Sequence, residues 1–180
     1  MERSGGPALI IGIGNPLRGD DGIGPWLVAD LEQELERQAG AAAPPARCRV
    51  VRQLLPELAD ELAGVERVLF VDAWRAPAES RAELAALGAA GPGPAAGRDG
   101  PGSWSFGHGF GPGELLALAA LLVDAPPRAD LLRIPAEQFA LAAADAEAGF
   151  SATVRHQLPR ARRLLRRWLV NPQRPGSRSS

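Results

Sequence analysis

Residues Ala8–Gly24 read ALIIGIGNPLRGDDGIG. An apolar run stops at glycines, presents Asn15, Arg18, Asp20 and Asp21, and then gives way to a helical pattern. Residues 8–13 are continuously apolar with two isoleucines in succession, the pattern of a strand buried on both faces. From Ile23 the apolar positions fall at Ile23, Trp26, Leu27, Leu31 and Leu35, a helical stripe with acidic and amide residues opposite it. A buried strand feeding a helix is the repeating unit of a parallel α/β sheet, where ligands sit beyond the carboxyl ends of the strands and the loops are free to vary. Asp20 or Asp21 is expected to cap the helix. Pro25 is tolerated in its first turn because the amide it lacks has no partner there.

Outward from this stretch the alternation continues. Gly40 to Pro45 breaks the pattern, Cys48 to Gln53 reads as a second strand, and Pro56 opens a short helix, PELADELAG. Val68 to Val71 is another apolar run, flanked by Glu66 and Arg67 and ending on Asp72. Ala82 to Leu87 alternates weakly, as an edge strand does. Residues 88–102 hold six glycines and three prolines and predict a mobile loop that is not a domain boundary. His108 follows in a glycine-rich loop directly before a helix with the predicted inner face Leu115, Leu118, Ala119 and Leu122. Asp130 to Ile134 reads as a strand. Ser151 is placed to cap a final helix with the stripe Val154, Leu158, Ala161, Leu165 and Trp168, the rest of its surface being largely arginine. Pro159 is expected to kink that helix or start its main segment. The expected organisation is one α/β domain over residues 1–170, with residues 171–180 as a disordered tail.

The 180 residues suffice to bury about two thirds of the surface that the unfolded chain exposes. Twenty basic residues, all arginine, stand against 21 acidic ones, a balance that argues against a general nucleic-acid-binding surface. The single cysteine, Cys48, excludes an intrachain disulfide framework and any multi-cysteine metal site. The amino terminus lacks the pattern of a signal peptide, and no uncharged apolar run approaches the roughly 20 residues of a membrane span. The expectation is a soluble, cytoplasmic monomer with no membrane and no nucleic-acid partner.

Several chemistries compete for the glycine-rich turn. A dinucleotide fingerprint requires a third glycine where this chain has Leu17, and carboxylates occupy the place of the pyrophosphate. Asp20 and Asp21 have a structural role available as helix-cap and first-turn acids. Asp72, at the carboxyl end of a buried strand, lies where parallel α/β folds assemble sites. Glycines on both sides of His108 would leave its imidazole accessible, whereas His156, in the arginine-rich helix, reads as a solvated surface position. If the first and third strands are parallel neighbours, Asp21, Asp72 and His108 open on one edge. Two carboxylates and an imidazole suit a divalent transition metal such as Ni²⁺ or Zn²⁺, with positions left for another molecule. No GxSxG turn is present and Cys48 lies in an apolar strand, so serine and cysteine hydrolase machinery is not expected.

The three motifs GIGNPLRGDDGIG, LFVDA and GHGFGPGELLALA, in this order, resemble those of the endopeptidases that mature nickel-iron hydrogenases. The similarity extends to QLLPELADEL and to GFSATV before the last helix, covering the chain to about Leu169. The resemblance implies a three-layer sandwich, a twisted, mostly parallel sheet with helices on both faces. It implies that Asp21, Asp72 and His108 bind nickel delivered with the substrate and carry the catalytic site. The implied activity is removal of a carboxy-terminal extension from the hydrogenase large-subunit precursor. A non-catalytic, metal-sensing chaperone of the same precursor would use the same ligands. A carboxylate free of the metal, Asp20 or Asp21, could act as general base. Asp21 occupies a position where some members have glutamate, Gly107 replaces a common serine, and Phe110 stands where leucine is frequent. The segment Phe139 to Gly149 is longer than usual.

Overall fold

A computed structural model of the chain describes residues 8–38, 46–77, 79–87, 110–140 and 149–171. In chain order the elements are β1 (Ala8–Ile13), a 3-10 turn (Gly19–Gly22), α1 (Ile23–Arg37), β2 (Ala46–Val51) and a 3-10 segment (Pro56–Leu62). They continue with β3 (Arg67–Arg75), β4 (Glu83–Leu87), α2 (Pro112–Leu122), β5 (Arg128–Ala136) and α3 (Ala152–Val170). The five strands form one sheet in the order β2-β1-β3-β5-β4. β2, β1, β3 and β5 run parallel, and β4 pairs antiparallel with β5 at the edge.

Residue alternation along the central strands explains the layering. Ala8 and Ile10 of β1, with Leu69, Val71 and Ala73 of β3, pack against the apolar stripes of α1 and α3. Leu9, Ile11 and Ile13, with Val68 and Phe70, pack against the 3-10 segment and against Leu115, Leu116 and Ala119 of α2. Both faces of the sheet are therefore covered, which is why β1 and β3 read as unbroken apolar runs. This is the expected α/β sandwich with a mostly parallel sheet.

Several elements differ in detail. β2 begins two residues earlier than Cys48 and ends at Val51, and it is an edge strand with alternating exposure. β3 continues through Asp72 to Arg75, because β5 still pairs with it there after β1 has stopped. On α2 the buried set includes Leu116, while Leu122 is exposed. α3 passes through Pro159 without interruption, and its predicted stripe is buried. Ser151 caps it as expected, its Oγ accepting from the amide of Val154 at 3.2 Å.

The far end of the sheet holds a buried arginine. The Arg67 guanidinium donates to the carbonyls of Trp168 and Leu169, each at 2.7 Å, and lies 4.5 Å from the centroid of the Trp168 ring. These carbonyls belong to the last turn of α3, which has no further amides to donate to them and where positive charge is favourable. The Trp168 indole in turn donates to Asp130 at 2.8 Å. Burial lowers the Arg67 pKa, and the carboxylate of Asp130 opposes that shift.

Candidate functional site

In the strand order observed, the connections of β1 and β3 leave toward opposite sides of the sheet, so the carboxyl ends of these two strands flank a crevice. β1 and β3 are parallel neighbours, with Gly12 opposite Val71. Asp72 is the next residue of β3, at the point where β1 ends.

The loop after β1 is folded back over the strand ends. Gly14 has φ +137°, and a Cβ there would lie 1.9 Å from the carbonyl oxygen of Asp21. A Cβ on Gly24 would lie 2.4 Å from the carbonyl oxygen of Val71. Only glycine permits either approach. Asn15 closes the loop locally, its side-chain oxygen accepting from the amide of Leu17 at 3.0 Å. The Asn15 amide donates to the Asp21 carboxylate at 2.9 Å.

The adjacent aspartates have separate tasks. Neither caps α1 through its side chain. Asp20 is fully buried; it accepts hydrogen bonds from the amides of Glu137 at 2.8 Å, Gln138 at 2.9 Å and Ser151 at 2.7 Å. Its own amide donates to the Gln138 carbonyl at 2.8 Å. Both carboxylate oxygens are thus engaged by backbone from the β5–α3 connection, which removes Asp20 as a general base. Asp21 is only partly buried and faces Asp72.

Asp72 is 7% exposed. Its neighbours Val71 and Ala73 belong to the α1/α3 side, so its carboxylate points to the side of α2. Burial, and then the like charge of Asp21, hold its carboxyl well above the ordinary aspartate range, against the lowering effect of the Ala73 amide. A buried carboxyl whose ionisation a neighbouring carboxylate opposes can keep its proton or accept a divalent cation.

The third predicted residue, His108, lies outside the described residues, as do the 88–102 loop and most of the Phe139–Gly149 segment. Among the described residues no group of three His, Cys, Asp or Glu is placed to hold a metal. His156 is exposed on α3, in keeping with a solvated position. Burial and the charge of Glu32 push the Cys48 thiol up to about 11, so it is inert as a nucleophile. Also among the described residues, no helix is long and apolar enough to cross a membrane.

Two side chains beside the site escaped the sequence reading. Arg133 of β5 is in register with Asp72 on one side and with Glu83 of β4 on the other. It forms an ion pair with Glu83, and its guanidinium lies 4.7 Å from the centroid of the Trp74 ring. The signal was an arginine interrupting the apolar run LLRIPA, although its neighbours across the sheet were not visible in sequence.

No protein-family model and no curated protein sequence matches this chain. Solved structures do match. A hydrogenase 2 maturation peptidase from a Thaumarchaeota archaeon is 20% identical with a TM-score of 0.57, covering 91% of this chain and 98% of that one. The hydrogenase maturating endopeptidase HybD from E. coli is 20% identical with a TM-score of 0.55, covering 88% of this chain and 89% of that one. A [NiFe] hydrogenase maturation protease, HybD from Thermococcus kodakarensis, is 16% identical with a TM-score of 0.60, covering 91% and 99% respectively. This chain therefore has the fold of the hydrogenase maturation proteases.

Proposed function

We propose that this chain is a hydrogenase maturation endopeptidase that removes the carboxy-terminal extension of a nickel-loaded large-subunit precursor. The observation that carries the reading is the pairing of Asp21 with the buried Asp72 at the crevice between β1 and β3, in a fold shared with such proteases. The donor chemistry fits. A divalent cation held by Asp21 and Asp72 would offset the burial and like-charge cost that Asp72 bears when ionised.

In this reading nickel arrives as part of the substrate, held by the precursor, and Asp21, Asp72 and His108 recognise it. Recognition places the scissile peptide beside the carboxylates. When bound, the metal would supply positive charge that can polarise the carbonyl. Asp21 is the more accessible carboxylate and is oriented by the Asn15 amide. Burial and the charge of Asp21 favour the neutral form of Asp72, and a cation held at the pair would favour its ionised form. With Asp20 saturated by backbone amides, the general base is one of the Asp21–Asp72 pair.

The test is a cleavage gel with purified full-length protein and two preparations of one precursor. The nickel-loaded precursor is expected to be cut and the nickel-free precursor to remain intact. Asp21→Ala, Asp72→Ala and His108→Ala are each expected to abolish processing while the chain stays folded. Equal cleavage of both precursors would overturn metal gating. Binding without cleavage would identify a metal-sensing chaperone instead.

A further inference from the structure

Two arginines stand at the rim of the crevice, and one phenylalanine holds both. Arg18 lies in the loop after β1, where its carbonyl accepts from the amide of Asp21 at 3.2 Å. Its side-chain Nε donates to the carbonyl of Phe139 at 3.2 Å. Arg75 ends β3, three residues beyond Asp72, and its guanidinium lies 5.1 Å from the centroid of the Phe139 ring. Both arginines are exposed, and among the described residues neither forms an ion pair. Two acids of this region are committed elsewhere: Glu137 accepts from the hydroxyl of Thr153, and Asp20 is saturated by backbone amides.

The arginines and the aspartate pair serve different sides of the rim. The Asp72 carboxylate points to the side of α2. Ala73, and with it Arg75 by strand alternation, belongs to the α1/α3 side, where Phe139 also packs. Three residues of strand set Arg75 roughly 10 Å along β3 from Asp72. A guanidinium already held by a carbonyl or an aromatic face loses less freedom on binding than a solvated one, and its planar fork matches a carboxylate.

We propose that Arg18 and Arg75 bind an acidic side chain of the precursor, carried roughly two to four residues from the scissile bond, the number over which an extended peptide spans about 7–13 Å. The assignment rests on the reading of Asp21 and Asp72 as the place of cleavage. A segment that presents a metal to the aspartates and a carboxylate to the arginines lies across the rim in one direction only, because reversal sets like charges against each other. The arginines therefore fix register and direction, and the aspartates keep the chemistry.

The experiment is a cycle of two proteases and two nickel-loaded precursors. In one precursor the aspartates and glutamates within about four residues of the cut are replaced by the corresponding amides. Arg75→Gln is expected to raise KM for the unaltered precursor about tenfold with kcat within about twofold, the mark of an interaction made equally in ground and transition states. The altered precursor is expected to raise the wild-type KM by the same factor. Arg75→Gln is expected to cut it no worse than the wild type does, since a pair already broken at one end has nothing further to lose. Arg75→Lys keeps the charge and is expected to stay within about threefold of wild type. Arg18→Gln is expected to follow the same cycle, whereas a cost arising from its lost tie to Phe139 falls on both precursors equally.

An unchanged KM in Arg75→Gln, or an equal rise for both precursors, would overturn the proposal; the second is what a purely structural hold on Phe139 produces. Failure of the wild type to cut any precursor would sink the protease reading. The same cycle read as Kd by surface plasmon resonance then decides this inference, and equal Kd values for both precursors remove it.

Discussion

Asp72 is a carboxyl group inserted into the middle of a buried strand, and its energetics follow from that position. In the folded chain it binds its proton more tightly than an unfolded aspartate does. Its contribution to stability is therefore fully present below about pH 4 and is lost as pH rises through the raised folded value. Asp72→Asn removes this dependence. In urea unfolding of metal-free protein at a series of pH values, the wild type is expected to lose stability relative to Asp72→Asn as pH rises from about 4, leaving the variant the more stable at neutral pH. The same variant is expected to lose processing by about a hundredfold or more. Asp72 was legible in sequence because a carboxylate ending an apolar run is conspicuous. The division of labour between Asp20 and Asp21 was not. Adjacent residues of the same type look alike until one is seen to accept amides from residues more than a hundred positions away.

Helices and strands were readable wherever burial imposed a period. β1 and the stripe of α3 emerged directly. The inner face of α2 was misjudged at Leu122 because the helix is apolar nearly all round, which leaves periodicity with little contrast. β3 was cut short at Asp72, since no local signal shows that a neighbouring strand continues past a charged residue. The attachment of α3 was equally invisible, because it depends on Arg67 reaching carbonyls of Trp168 and Leu169. Arg67→Met is expected to destabilise the fold by about 3 kcal/mol in urea unfolding, since it leaves buried carbonyls without donors. Arg67→Lys is expected to recover only part of that loss, because an ammonium lacks the planar fork that serves both acceptors. The ion pairs that join α3 to α1, Arg162 with Asp30 and Arg166 with Glu34, are surface contacts, and each contributes less than about 1 kcal/mol.

Across the whole molecule, the site draws on connections that are remote in sequence. The loop after β1 carries Asp21, β3 carries Asp72, and the connection from β5 to α3 supplies the amides that hold Asp20. Asp20→Ala is expected to cost roughly 3 kcal/mol or more in unfolding experiments, because three amides lose their acceptor at once. It is also expected to impair processing at temperatures where the chain is still folded, because Asp21 is the next residue. Sequence specified the sandwich and two of the aspartates at its crevice. It withheld how the loops are tied together, since hydrogen bonds to backbone amides leave no residue pattern at the donor end.

That tie has a bearing on how such a scaffold can change. Gln138 and Ser151 both donate to the carboxylate of Asp20, so the chain between them leaves and returns at one anchored point. Phe139, whose carbonyl accepts from Arg18, and the buried Phe150 belong to the anchor, so changes of length at positions 141–148 leave the ties to the Asp21 loop in place. That makes the stretch a place where a lineage, or an engineer, could change the sequence while leaving the Asp21–Asp72 pair where it is.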